Sequence, residues 1–362
     1  MIDIYQKNFK ILTKEYLSTN DVLLKPTTGV LDSRSKAIIN TSYLYSSPMD
    51  TVTDIELTKE LIANKQNAVF CRFLSIEKRQ KALSMFSSNP LFWYSVGVTN
   101  EDFDFLNDFF LKNQLESVNI SVDVAHGDTN LLLKVYEKYK NASWCNFLMS
   151  GTIANEYSAI SLRQAGCTHL RIGIGPGSAC STRIVTGCGV PNLSAVFRTH
   201  DILVSSGLRD STTIIADGGI KTTGDIIKYL SVGADGVMIG SMLSKVKESG
   251  GWKQTLLFKI FKYFFKIPLH LRYYKYYRGQ ASLEFQKERR GFVNGVPEGV
   301  QSNSKIKPTV DLITFLSNCN SAIASAISYL GLNQIKDLNP NNVEFIKITQ
   351  NGLIESKPHI LL

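Results

Sequence analysis

Short apolar, β-branched runs recur along the chain, each followed by a longer stretch in which apolar positions return every three to four residues. The short runs fall at Tyr43–Ser47, Ala68–Cys71, Trp93–Val98, Val118–Ala125, Phe147–Gly151, Leu170–Gly175, Thr213–Gly218 and Gly236–Gly240. Their length and near-continuous apolar character predict strands buried on both faces. The longer stretches predict helices at Asp54–Asn64, Ile76–Phe86, Glu101–Lys112, Leu131–Tyr139, Asn155–Ala165, Leu193–Ser206 and Gly224–Val232. Strand and helix alternating eight times predict an α/β fold, a closed (β/α)8 TIM barrel of parallel strands. An open, doubly wound sheet competes with it, but eight units without a single switch point fit that architecture less well.

Several strands end in polar or glycine-rich turns, which a barrel would gather on its C-terminal face, where such folds place their sites. After the eighth strand the pattern changes. Residues 248–300 form an extra basic, aromatic segment and then a polar one, expected to cover the site. A C-terminal helix, Val310–Leu330, and a strand-like run, Val343–Thr349, follow. One barrel domain over residues 1–362 is expected.

Composition narrows the class. Hydrophobic residues make up 44% and charged residues 20%, which excludes a disordered chain. Met1–Thr19 has no apolar leader-like core, and no run is long and apolar enough to cross a membrane. The six cysteines have neither paired spacing nor neighbouring histidines, which fits a reducing, cytoplasmic setting without zinc. The net charge is +9, and much of the excess lies between Lys245 and Arg290. Such a balance suits anionic ligands: nucleotide phosphates, nucleic acid or a membrane surface. Within that region Trp252–Tyr277 could form an amphipathic membrane-surface helix. Aromatic stripes are more often packed, so a cover over the barrel mouth or a subunit contact is the preferred reading.

Chemistry concentrates in Gly173-Ile-Gly-Pro-Gly-Ser-Ala-Cys180, a glycine-rich loop that follows a strand and carries a thiol. Glycine lets a backbone come close to a ligand, and a cysteine there is a candidate nucleophile. The competing reading is an incidental small hydrophobe. Asp217 ends an apolar strand and precedes Gly218 and Gly219, so its carboxylate can accept ribose hydroxyls while the glycine amides meet a phosphate. A plain helix cap is the alternative. Ser178, Gly240 and Ser241 are candidates to complete a phosphate cradle, and Cys188 reads as structural.

The segment from Arg171 to Gly187 resembles the catalytic loop of the IMP dehydrogenase/GMP reductase family. So do, in order along the chain, Asp21–Pro26, Ser47–Val52, Ser121–Gly127, Ile215–Ile220 with Thr223–Asp225, Gly233–Ser241, Tyr277–Ser282 and Pro297–Val300. The resemblance implies a barrel in which Cys180 attacks C2 of a purine nucleotide. No regulatory repeat pair is inserted, since Arg72 runs straight into a helix, and no Arg-Tyr pair of a dehydrogenase flap occurs between Ser282 and Pro297. Ala281–Gln286 instead looks like the reductases' segment, with Glu284 the glutamate that acts with Thr182; an exposed helical glutamate is the alternative.

The expectation is therefore a GMP reductase-like enzyme converting GMP and NADPH to IMP, ammonia and NADP+. Cys180, Thr182 and Glu284 would be catalytic. Ser47, Met49, Ser178, Asp217, Gly218, Gly219, Gly240, Ser241, Gln280, Ala281 and Ser282 would hold the nucleotide. Asp123, Val124, Ala125, His126, Gly151 and Gly173 would meet the cofactor, and carbonyls of Gly175, Gly177 and Cys180 could hold a monovalent cation such as K+. The rivals are an IMP dehydrogenase with NAD and a non-catalytic purine-nucleotide binder. The family also implies a homotetramer, with neither nucleic acid nor stable membrane insertion. Three positions depart from the family pattern: Cys71 replaces a histidine, Thr152 an asparagine and Gln280 a methionine.

Overall fold

A computed structural model of the chain describes residues 15–255, 259, 268–291, 293 and 295–358. Strand β1 (Val22–Leu24) lies outside the barrel, and the barrel itself is a ring of eight parallel strands. These are β2 (Leu44–Ser46), β3 (Ala68–Phe70), β4 (Phe92–Val96), β5 (Val118–Val122), β6 (Cys145–Ile153), β7 (His169–Ile172), β8 (Thr213–Asp217) and β9 (Gly236–Ile239). Neighbours follow chain order from β3 to β9, and β2 pairs with β9. The ring closes through Asn67, whose N–H donates to Leu44 O (2.9 Å) and whose carbonyl accepts from Ser46 N–H (3.1 Å).

The helices between strands are α1 (Ile55–Ala63), α2 (Ile76–Phe86), α3 (Asn100–Asn113), α4 (Asn130–Lys140), α5 (Ser158–Gln164), the short α6 (Thr182–Thr186), α7 (Asn192–Ser205) and α8 (Thr223–Ser231). All eight expected strands and all seven expected helices are therefore present, their ends displaced by a few residues at most. Beyond β9 come β10 (Lys253–Gln254), α9 (Leu269–Arg272), β11 (Tyr273–Tyr274), α10 (Leu283–Arg290), α11 (Leu312–Tyr329), β12 (Phe345–Lys347) and α12 (Gln350–Glu355). Helix α11 packs on α8, and its Asn320 accepts from the Tyr43 hydroxyl (2.9 Å), so it occupies the eighth outer position of the ring. β12 pairs antiparallel with β1 on the outside.

Period-two alternation sorts the strand side chains into two cores. Tyr45, Val69, Trp93, Met149, Ile215 and Met238 fill the barrel interior as one cluster. Their neighbours Leu44, Phe70, Phe92, Ile214 and Val237 face the helices in the other. The same parity turns His169 and Arg171 of β7, and Asp217 of β8, to the inside. Asp123, one residue past β5, continues that parity toward the mouth.

Residues 256–258 and 260–267 of the basic aromatic segment lie outside the described residues, as do residues 1–14, where most of the leader reading falls. Lys253 and Gln254 pair antiparallel with Tyr274 and Tyr273. Among the described residues no helix is long and apolar enough to cross a membrane.

His169 sits edge-on to Trp93 (centroids 4.5 Å apart) near Phe147. Burial there, helped by the Arg163 charge, pushes its imidazole down to about 3. Its folded value lies below the unfolded one, so the unfolded chain binds the extra proton and stability falls as pH drops below about 6.5. We expect denaturant unfolding to register a loss of about 1–2 kcal/mol between pH 7 and pH 5 that a His169→Gln variant lacks.

Candidate active site

A cavity of about 520 Å³ opens at the C-terminal ends of the barrel strands. That volume suits a mononucleotide with part of a second ligand. Seven strand ends contribute. Ser47, Pro48 and Met49 follow β2, Arg72 and Phe73 follow β3, Asp123 to Ala125 follow β5, and Thr152 comes from β6. Arg171 and the loop from Gly173 to Cys180 follow from β7, Asp217 to Lys221 from β8, and Gly240 with Ser241 from β9. Tyr277, Gly279 to Ala281, Gln286, Val296, Glu298 and Gly299 close the remaining side.

The thiol-bearing loop is held at both ends. Arg183 donates through Nε to Ile174 O (2.9 Å) and through Nη2 to Val190 O (2.5 Å), closing residues 174–190 on themselves. Cys180 N–H donates to Gly177 O (3.0 Å), Ser181 N–H to Glu298 O (2.8 Å), and Val300 N–H to Ala179 O (3.0 Å). Residues 298–300 are thus stitched to the loop as an extra strand-like edge. Cys180 Sγ lies 3.1 Å from Thr182 Oγ1, close enough for one to pass a proton to the other. Gly173 is required by sterics: its φ is +150°, and a Cβ there would lie 2.0 Å from Asp217 O.

A charge cluster lies beneath this loop. Arg171, with 7% of its side chain exposed, donates through Nη2 (2.8 Å) and Nε (3.2 Å) to Asp217 Oδ2 and through Nη1 (3.3 Å) to Asp123 Oδ1. Arg72 Nε stands 3.7 Å from Asp123 Oδ2. Burial raises the Asp217 pKa, and the Arg171 guanidinium opposes the rise. Gly218 and Gly219, with φ of +81° and +76°, turn the chain sharply past Pro176 and Gly177. Helix α8 then starts at a capping box in which Thr222 accepts from Asp225 N–H (3.2 Å), so Asp217 is free of that duty.

The family model described as IMP dehydrogenase / GMP reductase domain matches residues 17–359. The chain belongs to the IMP dehydrogenase/GMP reductase family. It is 35% identical to an inosine-5'-monophosphate dehydrogenase of Thermoplasma acidophilum over 66% of this chain and 46% of that protein. A Streptococcus pyogenes protein of the same name is 33% identical over 73% of this chain and 51% of its own length. One from Nitrosopumilus maritimus is 32% identical over 95% of this chain and 68% of its own. The chain thus spans about half the length of the first two.

Most of the residues singled out from the sequence meet in the one cavity; four do not reach it. Ser282 is fully buried as the cap of α10, its Oγ accepting from Phe285 N–H (3.3 Å). Glu284 is exposed on α10, because that helix turns Phe285 and Gln286 inward instead. Gly151 lies under Val124 and Gly127, and its N–H donates to the Tyr136 hydroxyl (3.0 Å). His126 is exposed one residue beyond the cavity wall. The remaining departures are structural here: Cys71 is fully buried, which pushes its thiol up, and Thr152 Oγ1 turns toward the Val124 and Ala125 carbonyls (3.1 and 2.9 Å).

Sequence reasoning missed Arg171, Arg72, Tyr277, Gln286 and Glu298 as wall residues. Arg171 had a readable signal: a charged side chain flanked by Leu170 and Ile172 on a strand otherwise buried on both faces. Removing it leaves Asp217 without its cation and Asp123 with Arg72 alone. We expect Arg171→Met to cost about 3 kcal/mol in denaturant unfolding at pH 7. The deficit should shrink toward pH 5, where the Asp217 carboxyl, raised by burial and no longer opposed by Arg171, takes up a proton.

Proposed function

We propose that the protein is an oxidoreductase acting at C2 of a purine 5'-nucleotide through Cys180, with IMP oxidation as the best-supported direction. The observation that carries this is the Cys180 thiol opening into a cavity that also holds Asp217, Gly218, Gly219, Gly240 and Ser241. The names of the similar proteins support IMP, and the exposed position of Glu284 leaves a deaminating reaction without its expected proton donor.

In this reading Asp217 accepts the ribose hydroxyls through the oxygen that Arg171 leaves open, and the glycine amides with Ser178 and Ser241 receive the phosphate. Cys180 adds to C2 as a thiolate, its proton relayed through the Thr182 hydroxyl to solvent at the open mouth. A nicotinamide held beside Asp123, Val124 and Ala125 would supply the hydride acceptor for C2. Water then displaces the sulfur, which leaves XMP and the free thiol. The residues present fit a dinucleotide: Asp123 Oδ2, 3.7 Å from Arg72 Nε at the cavity wall, has no hydrogen-bond partner among the described residues and suits a ribose hydroxyl. A monovalent cation on the Gly175, Gly177 and Cys180 carbonyls belongs to the same proposal.

A second reading is NADPH-dependent reductive deamination of GMP. It is favoured by the lack of an Arg-Tyr pair between Ser282 and Pro297, which leaves water activation without its usual groups in the family. There the thiolate would expel ammonia from C2, and hydride delivery to C2 would release IMP.

Nicotinamide absorbance with IMP and NAD+, and separately with GMP and NADPH, distinguishes the two. We expect turnover with IMP and NAD+. Cys180→Ala should lower kcat about a thousandfold or more while nucleotide affinity stays within a few-fold. Cys188→Ala, on an exposed position outside the cavity, should retain most activity. Turnover by Cys180→Ala near the wild-type rate would remove covalent chemistry from the account.

A further inference from the structure

Lys275 is a lysine with 1% exposure, far from any role in the chemistry above. Its Nζ donates to Thr51 O (2.6 Å), Ser249 Oγ (2.7 Å) and Gly250 O (2.8 Å), and lies 4.0 Å from the centre of the Trp252 ring. Burial pulls its pKa down to about 6, opposed by the Asp50 carboxylate. Three acceptors converge on one nitrogen, and only the ammonium form has a hydrogen for each, so the geometry satisfies the charged lysine. A planar guanidinium could not meet the same three points.

The residues after Lys275 continue along the same loop. Tyr277 donates its hydroxyl to Met49 Sδ (3.6 Å), Arg278 pairs with Asp50 (2.6 Å), and the Gln280 amide donates to Pro48 O. Positions 275 to 280 therefore run against positions 51 to 48 through side chains. Among the described residues no backbone hydrogen bond joins these two segments. Met49, Tyr277 and Gln280 all line the cavity, and this run of side-chain contacts joins their two segments directly.

We propose that Lys275 is a positioning residue for the cavity wall made by residues 277–280, fixing them against residues 47–51. It acts through Met49, Tyr277 and Gln280 and does not touch the reacting atoms. The proposal rests on the reading that a purine nucleotide occupies this cavity.

The test pairs a ligand-free measurement with a kinetic one, on the full chain carrying Lys275→Met and, separately, Lys275→Arg. In the ligand-free protein, Lys275→Met should raise hydrogen exchange at residues 47–53 and 277–282 together, with residues 217–221 unchanged. In turnover, it should raise the nucleotide KM about tenfold, with the cofactor KM within twofold and kcat reduced less than the nucleotide KM is raised. Lys275→Arg keeps the charge but misfits the three acceptors, and should give the same pattern more weakly. If Lys275→Met does not fold, Lys275→Arg decides. Unchanged exchange in both segments, or an unchanged nucleotide KM, in the variant that folds would overturn the proposal. If the wild type turns over neither IMP nor GMP, the purine reading fails by itself, and the exchange result alone then decides Lys275.

Discussion

One buried guanidinium organises this molecule. Arg171 reaches inward from β7 and bonds the carboxylates of Asp217 and Asp123 at once. Each of the three charges would be costly inside a barrel by itself, and together they are tolerated only in a narrow geometry. That geometry fixes the ends of β7 and β8 and the turn after β5, and these ends carry the thiol loop, the ribose-type carboxylate and the second carboxylate. The barrel supplies the precondition: alternation along the strands sends Arg171 and Asp217 inward above an apolar plug of Trp93, Met149 and Met238.

A second layer of order sits above the charges. The glycine loop is drawn tight by Arg183, and residues 298–300 add an edge to it. The opposite wall, residues 275–282, pairs through its backbone with residues 299–306. It is tied by Lys275, Arg278 and Gln280 to the loop after β2. Both walls therefore share the 298–306 edge through backbone bonds, and among the described residues side chains alone join residues 275–280 to the loop after β2.

The fold was legible because its signal is local. Eight apolar runs with helical patterns between them state a barrel, and only element ends shifted. The thiol loop and Asp217-Gly-Gly were legible because glycine, cysteine and aspartate at those spacings have few structural uses. Position along the chain does not say which way a helix faces; Phe285 and Gln286 take the buried side of α10, so Glu284 lies exposed. Ser282 caps α10, a use of serine before a helix that sequence alone does not separate from ligand binding. Arg171 and Lys275 were harder to see. Their partners lie as far away as Asp123 and Thr51, and only the closed ring and the folded-back segment bring them together.

The central claim is that one cavity holds a nucleotide by Asp217 and presents its base to Cys180. A crystal structure of the protein soaked with IMP addresses it directly. The account predicts ribose hydroxyls on Asp217, the phosphate at Gly218, Gly219 and Ser241, and purine C2 about 3–3.5 Å from Cys180 Sγ or bonded to it. A nucleotide seated with its ribose away from Asp217, or with C2 turned away from Cys180, would contradict it.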